Sequence, residues 1–126
     1  MAHFTAVTIC GSMRYYRDML KIAEEFTSYG LIVLMPFVAL PATMDNTQTK
    51  RMLDAMHRQK IDMAEQVYVI GNHIGVSTCG EIRYALNTGK EVWHITDMNG
   101  RTMQRINVGE WNVHDCKDHR GDAQLQ

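Results

Sequence analysis

The chain has 126 residues, 45% of them hydrophobic, which suits one globular domain with a real core, and a second is not expected. Lysine and arginine total 13 against 14 for aspartate and glutamate, so a net charge of -1 gives no electrostatic reason for a duplex nucleic-acid partner and favours a small, locally bound ligand. Three widely spaced cysteines, Cys10, Cys79 and Cys116, with no Cys-x-x-Cys pair and no signal-peptide pattern, predict reduced thiols in a cytoplasmic protein, and the longest apolar stretch, 31–40, is interrupted by Pro36 and too short to span a bilayer.

Residues 4–10 are rich in β-branched and apolar side chains and end at Gly11-Ser12, which predicts a buried first strand followed by a turn. Over 15–29 the apolar positions Tyr16, Met19, Leu20, Ala23 and Phe26 recur at helical spacing, and Gly30 stands where a helix stops. A second buried strand is expected over 31–35, ended by Pro36. Residues 37–49, with Pro41, Asp45 and Asn46, show no periodicity and read as a loop placed to cover a ligand. Leu53, Met56, Ile61 and Met63-Ala64 mark a second helix, and 66–70 a third strand. A third helix over 77–87, closed by Thr88-Gly89, leads to a fourth strand over 91–95.

This alternation predicts an α/β fold, a single-domain flavodoxin-like (Rossmann-like) parallel sheet with helices on both faces. Residues 1–97 form the expected α/β nucleotide-binding catalytic unit, and 98–126 a C-terminal extension. In that extension Met98-Asn99-Gly100 reads as a turn, 106–113 as a short strand or helix, and the last ten residues as frayed.

Open parallel sheets bind ligands beyond the carboxyl ends of their strands. Those ends deliver Gly11-Ser12-Met13-Arg14-Tyr15 after the first strand, Pro36-Phe37 after the second, and 71–81 after the third. The last segment, Gly71-Asn72-His73-Ile74-Gly75-Val76-Ser77-Thr78-Cys79-Gly80-Glu81, supplies flexible backbone, Ser77 and Thr78 as helix caps, the positive end of a helix, and one carboxylate. Arg14 is a candidate phosphate contact, and Tyr15 and Phe37 are candidates to stack on a base. The group His114-x-Cys116-x-x-His119 is the densest of the histidines and fits no strong zinc pattern, so no metal site is expected in the chain. Cys79 reads as a small pocket-wall residue, and the ten methionines as fillers of core and interface gaps.

Three segments in order carry a resemblance. Val7-Thr8-Ile9-Cys10-Gly11-Ser12-Met13-Arg14, His57-Arg58-Gln59-Lys60-Ile61-Asp62-Met63-Ala64, and 75–81 continued by Ile82-Arg83-Tyr84-Ala85 resemble the nucleoside 2-deoxyribosyltransferase superfamily, above all its small phage-type members and the deoxynucleotide N-glycosidases. The resemblance covers roughly the first ninety residues. It implies cleavage or transfer of the N-glycosidic bond of a (deoxy)nucleoside or its 5'-monophosphate, no cofactor, and a homodimer or higher homo-oligomer with shared active sites. Glu81 stands at the position of the family's catalytic glutamate and Asp62 at that of its helix aspartate.

The chemistry suits those residue types, because a carboxylate can attack or stabilise an oxocarbenium-like sugar. Asp62 either assists the leaving base or holds the sugar hydroxyls or the nucleophile in place. A 5'-phosphate would find donors at Ser77, Thr78 and the turn over Gly11, Ser12 and Arg14. The family's contact to the substrate 5' end, six residues before the glutamate, is a carboxylate or a serine; here it is Gly75, and neither preference carries over. The family's C-terminal contribution to a neighbouring subunit's site has no match after Asp97. The rival reading is a nucleotide-binding module without turnover, a sensor or sequestering protein. The Met-rich second helix offers an oligomer surface.

Overall fold

A computed structural model of the chain describes residues 3–36 and 47–107, with Gly109 and Trp111. The elements in chain order are β1 (Ala6–Gly11), a single 3-10 turn (Met13–Tyr15), α1 (Tyr16–Ser28), β2 (Ile32–Leu34), α2 (Thr47–Asp62), β3 (Gln66–Ile70), α3 (Val76–Asn87), β4 (Glu91–Ile95) and β5 (Met103–Ile106). They form an α/β structure around one five-stranded sheet of order β2-β1-β3-β4-β5. β1 pairs in parallel with β2 and β3, and β3 with β4, whereas β5 runs antiparallel to β4. The sheet is therefore mixed, not wholly parallel as expected.

Strand alternation sorts the side chains into two layers. Val7 and Ile9 of β1, Tyr68 and Ile70 of β3 and Ile95 of β4 pack with Met19, Ile22 and Phe26 of α1 on one face. Cys10, Val67, Val69 and Val92 pack on the other face with Ile61 of α2 and Ile82, Ala85 and Leu86 of α3. Helices thus cover both faces. Most of these side chains are fully buried, each contributing on the order of 2 kcal/mol of hydrophobic stabilisation.

Several expectations change in detail. α1 buries Met19, Ile22 and Phe26, one stripe at three- and four-residue spacing, while Leu20 next to that stripe is exposed. The second strand is only three residues long and is an edge, paired on one side alone, so Ile32 is half exposed and not buried as expected. α2 begins at Thr47, inside the expected loop, and ends at Asp62, leaving Met63 and Ala64 outside it. The expected loop over 37–49 lies outside the described residues up to position 46.

Beyond Asp97 the chain turns back and pairs Met103–Ile106 with β4, so the sheet continues into what the sequence reads as an extension. The Asp97 carboxylate accepts from the amides of Asn99 and Gly100, which closes that turn. Arg101, in the same connection, donates to Glu25 of α1. Among the described residues no helix is long and apolar enough to cross a membrane.

Candidate functional site

The chain runs from β1 outward to β2 and then returns to the other side of β1 as β3, so the sheet reverses direction of growth between β1 and β3. Connections leaving those two carboxyl ends diverge there and open a crevice. α3 follows β3 and α2 precedes it, and both pack on the face to which Cys10 points.

α2 is pinned across this face by polar contacts. The buried Thr8 hydroxyl donates to the Lys60 carbonyl at 2.7 Å, and the Lys60 ammonium donates to the Met35 carbonyl at 2.7 Å. One turn earlier, His57 enters the core: its Nε2 lies 3.3 Å from Cys10 Sγ and 3.7 Å from the Glu81 carboxylate. These three side chains come from β1, α2 and α3, and each is largely withdrawn from solvent, with Glu81 the most accessible at 15% side-chain exposure.

Burial dominates the electrostatics. It lowers His57 to about 4, helped by the nearby Lys60 charge and opposed by a hydrogen bond with the Ile9 backbone. It raises Glu81 to about 7, with Asp54 adding to the rise and Cys10 and Arg58 opposing it. It also pushes the Cys10 thiol well above its ordinary range, with the Glu81 charge next in importance. At 3.7 Å His57 and Glu81 lie within ion-pair range, but an imidazolium that forms only below about 4 never meets a carboxylate that forms only above about 7. Both groups are neutral between about 4 and about 7 and one of the two is charged on either side of that range, and the contact is too long for a hydrogen bond.

Glu81 also lines a cavity of about 260 Å³ between α2 and α3. Lys50, Asp54 and Arg58 line it from α2, at four-residue spacing on one helix face, and Val76, Ser77, Cys79, Gly80 and Arg83 from α3. Three cations therefore face two carboxylates, beside the first turn of α3 with its outward-pointing amides. Arg58 lies over the Tyr84 ring, 6.0 Å from its centroid.

Of the residues singled out in the sequence, Glu81, Ser77 and the expected pocket-wall residue Cys79 meet in this cavity. Gly75, not Ser77 or Thr78, is the N-cap of α3, without a side-chain cap bond. That places Ser77 and Thr78 inside the first turn, Ser77 exposed and Thr78 buried.

Asp62 does not join them. It is exposed at the last residue of α2, where its carboxylate accepts from the Tyr84 hydroxyl at 2.7 Å and its carbonyl accepts from Lys90.

The segment after β1 has structural work in the described residues. Gly11 takes φ +150, and a Cβ there would meet the Ile70 carbonyl at 2.9 Å. Ser12 caps the short turn by accepting from the Arg14 amide. Arg14 is exposed, and Tyr15 accepts from the His73 amide at 2.8 Å and packs over Gly71. None of the four lines the cavity around Glu81. Phe37 and the group His114, Cys116 and His119 lie outside the described residues.

Cys10 is a free thiol, whereas Cys79 is disulfide-bonded, which departs from the expectation of reduced thiols throughout. Sequence reasoning missed Lys50, Asp54 and Arg58, whose signal was their i, i+4, i+8 spacing, and gave His57 no role. No protein-family model matches the chain, and no curated protein matches it.

Proposed function

We propose that the chain cleaves or transfers the N-glycosidic bond of a (deoxy)nucleoside or its 5'-monophosphate, in the manner of the nucleoside 2-deoxyribosyltransferases it resembles, with Glu81 as nucleophile. One observation supports this above the rest: a largely buried carboxylate, poised at about 7, lines a cavity that also holds three cations and the start of a helix. Its volume of about 260 Å³ is near the low end for small-molecule clefts, a size for a nucleoside and not for a polymer.

In this reading the ionised Glu81 attacks C1', the C1'–N bond breaks with its electrons going to the base, and a glycosyl ester forms. Water then releases the sugar, or a second base accepts it. The departing base needs a proton. Water supplies that proton, and Asp54, which unlike Asp62 lines the cavity together with Glu81, is the carboxylate placed to orient it. Lys50, Arg58 and Arg83, with the α3 amides, hold the anionic or hydroxyl-bearing end of the sugar.

A flavodoxin-like sheet with β5 reversed, no cofactor, and a homodimer or larger assembly belong to the same proposal. Met52 and Met56, exposed one turn apart on α2, give such an assembly a surface. A cytoplasmic setting also belongs to it; the disulfide at Cys79 is the feature that argues against that part.

The test is chromatographic detection of free base after incubating the protein and Glu81→Gln with a panel of nucleosides and 5'-monophosphates, with and without an acceptor base. Release by the wild type alone is the expected result. No release from any member, combined with tight binding of one, replaces this reading with a nucleotide-binding module.

A further inference from the structure

Cys10, His57 and Glu81 form the one group of three potential metal ligands of their types found among the described residues, with their ligand atoms all within 4.8 Å of one another. They are 47 and 24 residues apart along the chain, so no sequence motif joins them; the packing of α2 and α3 on β1 does. We propose that they are the three protein ligands of a site for a thiophilic divalent cation of the zinc class, with the fourth position turned toward the cavity that Glu81 lines.

Spacing is the first support. Metal–ligand distances of about 2.3 Å for sulfur and about 2.0–2.1 Å for nitrogen or oxygen place tetrahedral ligands roughly 3.6 Å apart for sulfur and nitrogen and roughly 3.3 Å for nitrogen and oxygen. The observed Cys10–His57 and His57–Glu81 distances are 3.3 and 3.7 Å, so shifts of a few tenths of an ångström seat an ion.

Ligand type is the second. One sulfur, one imidazole and one carboxylate select zinc over magnesium or calcium, which want oxygen alone. The third is the outer layer: the His57 ring is also hydrogen-bonded to the Ile9 backbone, the kind of support that orients a metal-binding imidazole. Proton balance is simple. Cys10 releases its S–H proton to solvent, Glu81 releases any proton it holds, and His57 binds as the neutral ring, so the ion replaces one to two protons.

The site goes beyond the proposed function, and where that reading also holds, a bound ion occupies the nucleophile and silences it. Binding is therefore read without substrate, so its outcome is independent of whether Glu81 cleaves anything. Chelator-treated full-length protein is titrated with Zn²⁺ against a chromophoric chelator, and with Co²⁺ while watching for a thiolate-to-cobalt charge-transfer band in the near ultraviolet. One ion per chain with that band is expected. Cys10→Ser should remove the band, and Cys10→Ser, His57→Gln and Glu81→Gln should each weaken Zn²⁺ binding tenfold or more with the far-ultraviolet circular dichroism unchanged. X-ray absorption on the zinc-loaded wild type needs no variant and should find one sulfur at about 2.3 Å among otherwise nitrogen and oxygen ligands. The proposal is overturned by no binding at millimolar zinc, by a band that survives Cys10→Ser, or by a zinc shell with no sulfur or with two.

Discussion

Cys10 of β1 and His57 of α2, separated by 47 residues, meet at 3.3 Å between Sγ and Nε2 beneath the carboxylate of Glu81. Each member of this group is kept from its charged form by burial, and the group sits where the sheet changes its direction of growth. Holding three titratable side chains in a core costs stability unless they satisfy one another. The cost is confined to one place, directly behind the cavity.

Stability against pH reads this arrangement out. Glu81 is raised from 4.5 to about 7 and His57 is lowered from 6.5 to about 4. Between those ordinary values of 4.5 and 6.5, the folded chain keeps a proton on Glu81 that the unfolded chain lacks, and lacks one on His57 that the unfolded chain carries. The two slopes oppose and nearly cancel. Above 6.5 the Glu81 contribution stands alone, so the wild type loses stability as pH rises through about 7. Glu81→Gln removes one side of the balance: the unfolded state then binds more protons, and raising pH from 4.5 to 6.5 should stabilise the variant by about 2–3 kcal/mol. Urea unfolding at both pH values checks it, and a variant whose midpoint moves no more than the wild type's refutes it.

Activity should follow Asp54 more than Asp62. Asp54→Asn removes a carboxylate from the cavity wall and also a charge that raises Glu81, so the acid limb of kcat/KM should move to lower pH while the maximal rate falls roughly 10²-fold or more, the usual worth of positioned acid–base assistance, here through an oriented water. Asp62→Asn disturbs an exposed hydrogen bond to Tyr84, and its effect on rate should be under about tenfold, with little change in stability. Parallel pH–rate profiles of the two variants settle the order. A larger loss in Asp62→Asn reverses the assignment.

What could be read from the sequence depended on where each element sits. β3 and β4 are interior strands, and their apolar runs bounded by turn residues mark their ends at Gln66 and Ile70 and at Glu91 and Ile95. β5 is an edge strand whose Met103, Gln104 and Arg105 are all exposed, so nothing in its pattern distinguishes it from a loop. Glu81 was legible because a glycine-rich turn and a helix follow a buried strand. His57 was not, because α2 is largely polar and His57 and Ile61 are its buried positions, too few to set a helical phase. Without that phase the stripe of Lys50, Asp54 and Arg58 cannot be aimed at anything. Asp62 was placed by resemblance alone, and the helix carries it away from the cavity.

The turn after β3 depends on Gly71, which takes φ +91 and leaves no room for a Cβ beneath the Tyr15 ring. Gly71→Ala should displace that ring, break the bond from the His73 amide, and strain the backbone, for a loss of about 2–4 kcal/mol. Tyr15→Phe keeps the ring and removes only the acceptor, so it should cost about 1 kcal/mol. Thermal or urea unfolding separates the two. Equal losses would mean that the hydroxyl, and not the close approach, holds the turn.

Arg58 offers the sharpest test of what the cavity holds. Its charge lowers Glu81 and it lines the cavity beside Lys50 and Arg83. Arg58→Gln should therefore lift the acid limb of kcat/KM to higher pH for every substrate, because the carboxylate loses a stabilising neighbour. A second effect depends on the ligand. If these cations grip a 5'-phosphate, a charge-assisted contact of about 1.5–3 kcal/mol is lost, and KM for the monophosphate should rise about tenfold or more while KM for the free nucleoside barely moves. Steady-state kinetics on the matched pair, each measured across pH, keep the two effects apart. A pH limb that shifts with KM unchanged for both substrates assigns Arg58 to tuning Glu81 and leaves the 5' end to other groups.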